Sequence, residues 1–189
     1  MKIGVVGSGT VARVLASGFH KHGHSVMLGS RNPGKLADWA AENPKGSTGT
    51  FAQAAAFGEL VVLAVKGSAA MEALRLVGAE NLKRKPVVDA CNPIADAPPQ
   101  NGVLRLFTGP NESLMEQLQS AFPEARFVKA FNSVGNARMV DPRFAAGQPT
   151  MFICGNDESA KRTVSGILDE FGWVENVCVS TSAPNTRNT

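Results

Sequence analysis

The segment Gly7-Ser8-Gly9-Thr10-Val11-Ala12 has the form G-x-G-x-x-A and directly follows the apolar run Ile3-Gly4-Val5-Val6. Where such a turn joins a buried strand to a helix, it cradles the pyrophosphate of a dinucleotide. Gly7 permits the tight strand-to-helix turn, and Gly9 lets a phosphate approach the backbone with no Cβ in the way. Ala12 lets the helix pack closely on the sheet. The helix N-terminus then offers free N–H groups and a positive dipole end to the anion. A glycine-rich turn without a ligand is the alternative, but it gives no reason for three small residues at this spacing.

About twenty residues beyond Gly9, an NAD site carries an acid that holds the ribose 2′-hydroxyl. Here the corresponding residues are Gly29-Ser30-Arg31-Asn32-Pro33, and no acid stands among them. Arg31 can pair with a 2′-phosphate and stack on adenine, Ser30 and Asn32 can donate hydrogen bonds, and Lys35 adds charge. The cofactor expected from these residues is NADP(H).

Other chemistry-bearing residues fall at the ends of apolar runs. Ala64 and Val65 are expected against the cofactor, with Lys66 near its ribose or pyrophosphate or else a surface cation. Asn92, followed by Pro93, and Asn132 can bond the nicotinamide carboxamide or the acceptor, or can simply cap turns. Hydride transfer to a flavin-like ring rests mainly on close, parallel placement, so no catalytic acid or base is required, and Asn92 and Asn132 are the candidates for a catalytic role. Asp89 reads as a strand-end structural residue that could, with Lys129, serve a ketone or imine reductase. His20 and His22 read as exposed helix-end residues, their spacing being wrong for ligands on one helix face, and no metal site is expected. Cys91, Cys154 and Cys178 show no C-x-x-C spacing; the last two read as strand interiors, and Cys91 lies near the proposed site.

Positioning these groups requires strands that end together. Short apolar runs at 3–6, 25–28, 47–49, 59–65, 86–90, 126–130, 150–154 and 173–179 alternate with helical patterns at 10–22, 33–42, 51–57, 69–77, 111–121 and 157–171. A Pro/Asn/Gly-rich loop is expected over 92–102. Such alternation with short connections specifies a Rossmann-type doubly wound parallel sheet in a three-layer α/β/α sandwich, whose ligands sit outside the carboxyl ends of the strands. The expected organisation is one nucleotide-binding domain over 1–179 and a polar, flexible tail over 180–189.

The chain resembles the coenzyme F420-dependent NADP oxidoreductases through Gly7-Ser8-Gly9-Thr10-Val11-Ala12, Gly23-His24-Ser25-Val26-Met27-Leu28-Gly29-Ser30-Arg31-Asn32-Pro33 and Val128-Lys129-Ala130-Phe131-Asn132-Ser133. The resemblance covers about residues 1–175. It implies NADP(H) as cofactor and coenzyme F420, or a flavin, as co-substrate. The reductase domain of membrane ferric reductases is similar too. The family commonly continues past its last core strand with an Ala/Leu-rich helix that helps close the acceptor pocket. Here Ser180-Thr181-Ser182-Ala183-Pro184 and the residues after it show no helical periodicity. The acceptor pocket is then open, or completed by a partner, or the chain is truncated.

Composition narrows the classes further. The chain has 189 residues, 43% of them apolar, and a formal net charge of +3. Its one basic run, Lys83-Arg84-Lys85, suits a solvated turn better than a nucleic-acid surface. No run approaches the roughly 20 apolar residues of a membrane span, and the N-terminus has no signal-peptide pattern. A cytoplasmic protein is expected, free of nucleic-acid and membrane partners, acting on a small-molecule redox acceptor and arranged as a homodimer. Two other readings remain open: a non-catalytic NADP(H) sensor, and a reductase of a small carbonyl or imine substrate or of a ferric chelate.

Overall fold

The computed structural model describes residues 1–145 and 147–177. The expected tail, Cys178 and the end of the last expected strand lie outside the described residues. At the centre lies β1 (Lys2–Val6), paired in parallel with β2 (Ser25–Gly29) on one side and β4 (Leu60–Leu63) on the other. Outside them run β3 (Ser47–Gly49), β5 (Pro86–Asp89) and β6 (Arg126–Lys129). The resulting order is β3-β2-β1-β4-β5-β6, all parallel. All of Leu60–Leu63 is buried, as expected of a strand covered on both faces. The direction of winding reverses between β1 and β4. A parallel sheet opens a ligand crevice at that switch point, beyond its carboxyl edge.

One face is covered by α1 (Thr10–Lys21) and α6 (Glu158–Glu170), with Trp39 of the short α2 (Ala37–Glu42) beside them. In α1 the buried Ala12, Leu15, Ala16 and Phe19 recur at the spacing of a single helical stripe. The opposite face is covered by α3 (Phe51–Phe57), α4 (Ala70–Val77) and α5 (Leu114–Ala121). Among the described residues no helix is long and apolar enough to cross a membrane.

Two helices and the last two strands differ from expectation. The helix expected over 33–42 is a 3-10 turn at Pro33–Leu36 followed by α2; Pro33 suits the first position, but Gly34 weakens the first turn. The helix expected from 111 begins at Leu114, where Ser113 and Glu116 close a capping box. The last two strands, β7 (Thr150–Ile153) and β8 (Val174–Val177), do not extend the parallel sheet. They form their own parallel pair, joined to β6 by one antiparallel bridge between Lys129 and Cys154. His20 and His22 are half-buried rather than exposed. His22 bonds Asp141 at 2.9 Å and lies against the Phe171 ring.

Candidate functional site

The phosphate turn separates two kinds of glycine. Gly7 has φ +145°, and a Cβ there would stand 2.2 Å from the Ala64 carbonyl oxygen and 3.0 Å from Ala12 Cβ. The fold itself therefore demands glycine at 7 and a small residue at 12. Gly9 is the N-cap of α1 in an extended conformation (φ −78°, ψ 179°) that any residue adopts, and a Cβ there would meet nothing within 4 Å. Nothing in the protein demands glycine at 9; the space is left for something else. No side chain caps α1 and its first turn holds no acid. Its first N–H groups, which lack partners within the helix, are thus available to an anion. The residues present fit a dinucleotide pyrophosphate.

At the tip of β2 the side chains divide their work. Ser30 is buried, donates its N–H to the Gly49 carbonyl (2.9 Å) and accepts the Asn32 N–H on Oγ (3.1 Å). The Lys35 N–H donates to the Asn32 carbonyl (3.1 Å). Ser30 and Asn32 thus shape the loop, and Lys35 is exposed at its far end. Of the four residues singled out here, Arg31 lines a cavity, together with Ser8, Gly9, Thr10 and Val11.

That cavity measures about 430 Å³ and lies over the ends of β1, β2 and β4. Phe51, Ala64, Ala73 and Leu76 make its apolar wall. Glu72 also lines it and is turned toward Arg75, 3.6 Å away. Val65 and Lys66 are shared with a second cavity of about 540 Å³, whose other walls are Gly67, Asn92, Ile94, Ala95, Asp96 and Ala97. Exposed Lys66 donates to Asp96 (3.3 Å), whose carboxyl is held below its usual range by hydrogen bonds from Ser68 and Lys66. Asn92 Nδ2 donates to the Asn132 carbonyl (2.8 Å), and Asn132 Nδ2 to Asn92 Oδ1 (3.5 Å). The two asparagines brace the ends of β5 and β6, and Asn92 also faces the second cavity. Directly before Asn132, Phe131 is fully buried against Phe171 with φ +63°, a left-handed conformation whose cost, about 1–3 kcal/mol, the packing around it must offset.

The loop expected after Asn92 is a short hairpin. The Phe107 N–H donates to the Pro93 carbonyl (2.9 Å) and the Ala95 N–H to the Arg105 carbonyl (2.8 Å). Ile94 pairs with Leu106, and Gln100 with Val103. This hairpin forms the outer wall of the second cavity and leaves Val103, Leu104, Leu106 and Phe107 exposed.

Asp89 and Lys129 line neither cavity. Asp89 is fully buried, with Oδ2 2.9 Å from Lys129 Nζ and Oδ1 accepting the Cys91 N–H (2.9 Å). Lys129 also donates to the Cys91 carbonyl. The pair straps β5 to β6, the strand-end structural role expected of Asp89, and neither residue lines the two cavities. Burial pushes the Cys91 thiol up, so the nucleophilic thiolate is suppressed at neutral pH.

One residue at the site escaped the motif reading. Arg13 donates from Nε to the Ser8 carbonyl (3.1 Å) and from Nη2 to the Lys35 carbonyl (2.8 Å), and its Nη1 lies 2.9 Å from Asp38 Oδ1. The signal for it was a local mismatch: an arginine near a helix N-terminus opposes the dipole unless something else claims it.

A family of coenzyme F420-dependent NADP oxidoreductases matches residues 2–93. The crystal structure of a candidate F420-dependent NADP-reductase from Arthrobacter sp. FB24 superposes with a TM-score of 0.88 at 38% identity, covering 95% of this chain and 84% of that one. Metalloreductase STEAP3 of Rattus norvegicus is 33% identical over 174 residues, or 91% of this chain. The F420-dependent NADP reductase of Methanocaldococcus jannaschii is 30% identical over 124 residues, or 64% of this chain. The matches span 32% of the length of the first of these two curated relatives and 53% of the second.

Proposed function

Because the chain belongs to the coenzyme F420-dependent NADP oxidoreductase family, we propose that it moves hydride between NADP(H) and a planar redox acceptor, a deazaflavin such as F420 or a flavin. The observation that carries this reading is the pair of cavities joined at Val65 and Lys66. One holds the open Gly9 and the cation Arg31, and the other is walled on one side by Asn92 and by Ile94, Ala95, Asp96 and Ala97 of the hairpin. Bound NADP(H) would supply the hydride. The N–H groups at the start of α1 would fix the pyrophosphate, and Arg31 would hold the 2′-phosphate at the tip of β2. With both phosphate groups held, the remaining half of the dinucleotide is directed past Val65 toward the second cavity. Its hairpin wall excludes water on one side, and the Asn92–Asn132 brace keeps the floor rigid. Positioning of this kind supplies the rate for hydride transfer. The proton that accompanies the hydride in a reduction comes from solvent.

The likeness to a metalloreductase favours a ferric chelate as a second reading. A hydride carries two electrons and a ferric ion accepts one, so that reading requires a flavin between the two.

Stopped-flow mixing of the NADPH-loaded protein with F420, with FMN and with a ferric chelate (alone and with FMN) tests these readings. The expected result is oxidation of bound NADPH by F420 or FMN well above the protein-free rate. If none of them accelerates it, the enzymatic reading fails and an NADP(H)-binding module remains.

A further inference from the structure

We propose that Arg13 is the positioning residue that sets 2′-phosphate specificity, clasping the loop that carries Arg31 to the turn that holds the pyrophosphate. This rests on the NADP(H) reading above. Each of the three guanidinium nitrogens of Arg13 is engaged by the protein. Nε reaches the Ser8 carbonyl in the phosphate turn, Nη2 the Lys35 carbonyl in the 3-10 turn, and Nη1 the Asp38 carboxylate of α2. Asp38 is held below its usual carboxylate range, with the Arg13 hydrogen bond as the largest cause. So occupied, Arg13 is a rigid spacer and not a phosphate ligand. It spans sequence separations of 22 and 25 residues, between the two segments that must grip opposite ends of one adenosine.

The loop's other ties lie at its two ends, where Leu36 is fully buried in the core. Ser30 anchors its start through Gly49, and Trp39 Nε1 anchors α2 to α1 through Ser17 Oγ (2.9 Å). Between these anchors, the guanidinium ties the loop to the first turn of α1 through the Lys35 carbonyl. With the clasp removed, α2 stays docked through Trp39 while Arg31 loses its fixed distance from Gly9. The pyrophosphate turn keeps its own hydrogen bonds, including Gly7 N–H to the Gly29 carbonyl (3.1 Å) and Arg13 N–H to the Gly9 carbonyl (3.1 Å). Specificity should therefore suffer more than dinucleotide binding as such.

The test is a double-mutant cycle of Arg13→Met and Arg31→Ala, read by titration with NADPH and NADH. Arg13→Met is expected to weaken NADPH about tenfold, the scale of one charged hydrogen bond's effect, and to weaken NADH less than about twofold. In the Arg31→Ala background the same change should cost NADPH little more, because the two residues act as one unit. Arg13→Lys should not restore the preference, since a point ammonium cannot serve three divergent acceptors. Asp38→Asn, at an exposed side chain, should shift the NADPH/NADH ratio in the same direction by less. Without any nucleotide, trypsin should nick Arg13→Met faster than wild type after Arg31 and Lys35. Equal losses for both nucleotides, losses that multiply with Arg31→Ala, or unchanged nicking would overturn the proposal. Wild-type protein binding NADH as tightly as NADPH would instead refute the cofactor reading. The tryptic comparison would then still decide on the clasp.

Discussion

Gly7 and Gly9 are both glycines of one six-residue turn, yet the structure gives them opposite sensitivities. At Gly9 the backbone is extended and a Cβ meets nothing within 4 Å. Replacing it by valine costs the fold only the difference between glycine and a β-branched residue at an N-cap, about 1 kcal/mol. For a chain of this size that lowers Tm by about 2–4 °C. Binding is another matter, because the branched side chain would occupy the space that a pyrophosphate needs against the α1 N-terminus. Gly9→Val should therefore abolish NADPH and NADH binding alike. At Gly7, φ is +145° and a Cβ would lie 2.2 Å from the Ala64 backbone oxygen, an atom that cannot move without displacing β4. Gly7→Ala combines left-handed strain with a backbone clash, and a loss of about 3 kcal/mol or more is expected. Calorimetric titration and thermal denaturation of the two variants separate these effects. A Gly9→Val protein that still binds nucleotide, or that unfolds as early as Gly7→Ala, would refute the claim that position 9 is kept open for a ligand.

Arg31→Ala should weaken NADPH binding by about 1.5–3 kcal/mol, the scale of a charged hydrogen bond, and leave NADH nearly unchanged; equal losses in a calorimetric titration would contradict its role. Asp89→Ala removes the counter-charge of Lys129 and the acceptor of the Cys91 N–H, so a destabilisation of about 3–5 kcal/mol is expected in chemical denaturation, and a loss below about 1 kcal/mol would show that the pair is not a strap. Asp141 sits at the end of α1, where hydrogen bonds from Lys21 and then His22 outweigh burial and hold its carboxyl below the usual range. A carboxylate depressed in the folded state contributes stability that is full above its unfolded pKa, about 3.9, and vanishes as pH falls through the folded value. Asp141→Asn should therefore lower Tm at pH 7, with a deficit that shrinks as pH falls below about 3.9; a deficit that does not change with pH would assign the effect to packing.

The residues that line the first cavity at 8–11 and at 31 were legible in the chain because each group is consecutive. A turn such as Gly7–Ala12 works through backbone N–H groups and missing Cβ atoms, which leave a local pattern of small residues. The tip of β2 was legible for the same reason: Arg31 follows the strand directly, and the absence of an acid there is visible without any fold. What stayed hidden depends on partners distant in sequence. Asn92 and Asn132 meet across 40 residues, and Arg13 meets Lys35 and Asp38 across 22 and 25. Nor could residue type alone show that Ser30 and Asn32 would bond each other, leaving Arg31 to face the cavity. The separate β7–β8 pair was hidden as well, since a βαβ unit has the same pattern whether it extends a sheet or starts another.

The two halves of the site differ in how recognition is built, and this bears on the acceptor. Around Gly9 and Arg31 the site offers unpaired donors and a fixed charge, which select an anion of particular geometry whatever surrounds them. Around the second cavity the polar groups largely satisfy one another: Asn92 with Asn132, and Asp96 with Lys66 and Ser68. Few charges or donors there are left to specify a ligand, so shape and apolar contact must select it. Shape at that place is set by the 93–107 hairpin through Ile94, Ala95 and Ala97, which no phosphate-binding constraint touches. Under the proposed function, a substitution in the hairpin would therefore change which planar ring is accepted without disturbing the nucleotide. On that proposal, two chains with the same turn at 7–12 and the same arginine at 31 would be able to serve different acceptors, so hydride acceptance has to be measured acceptor by acceptor.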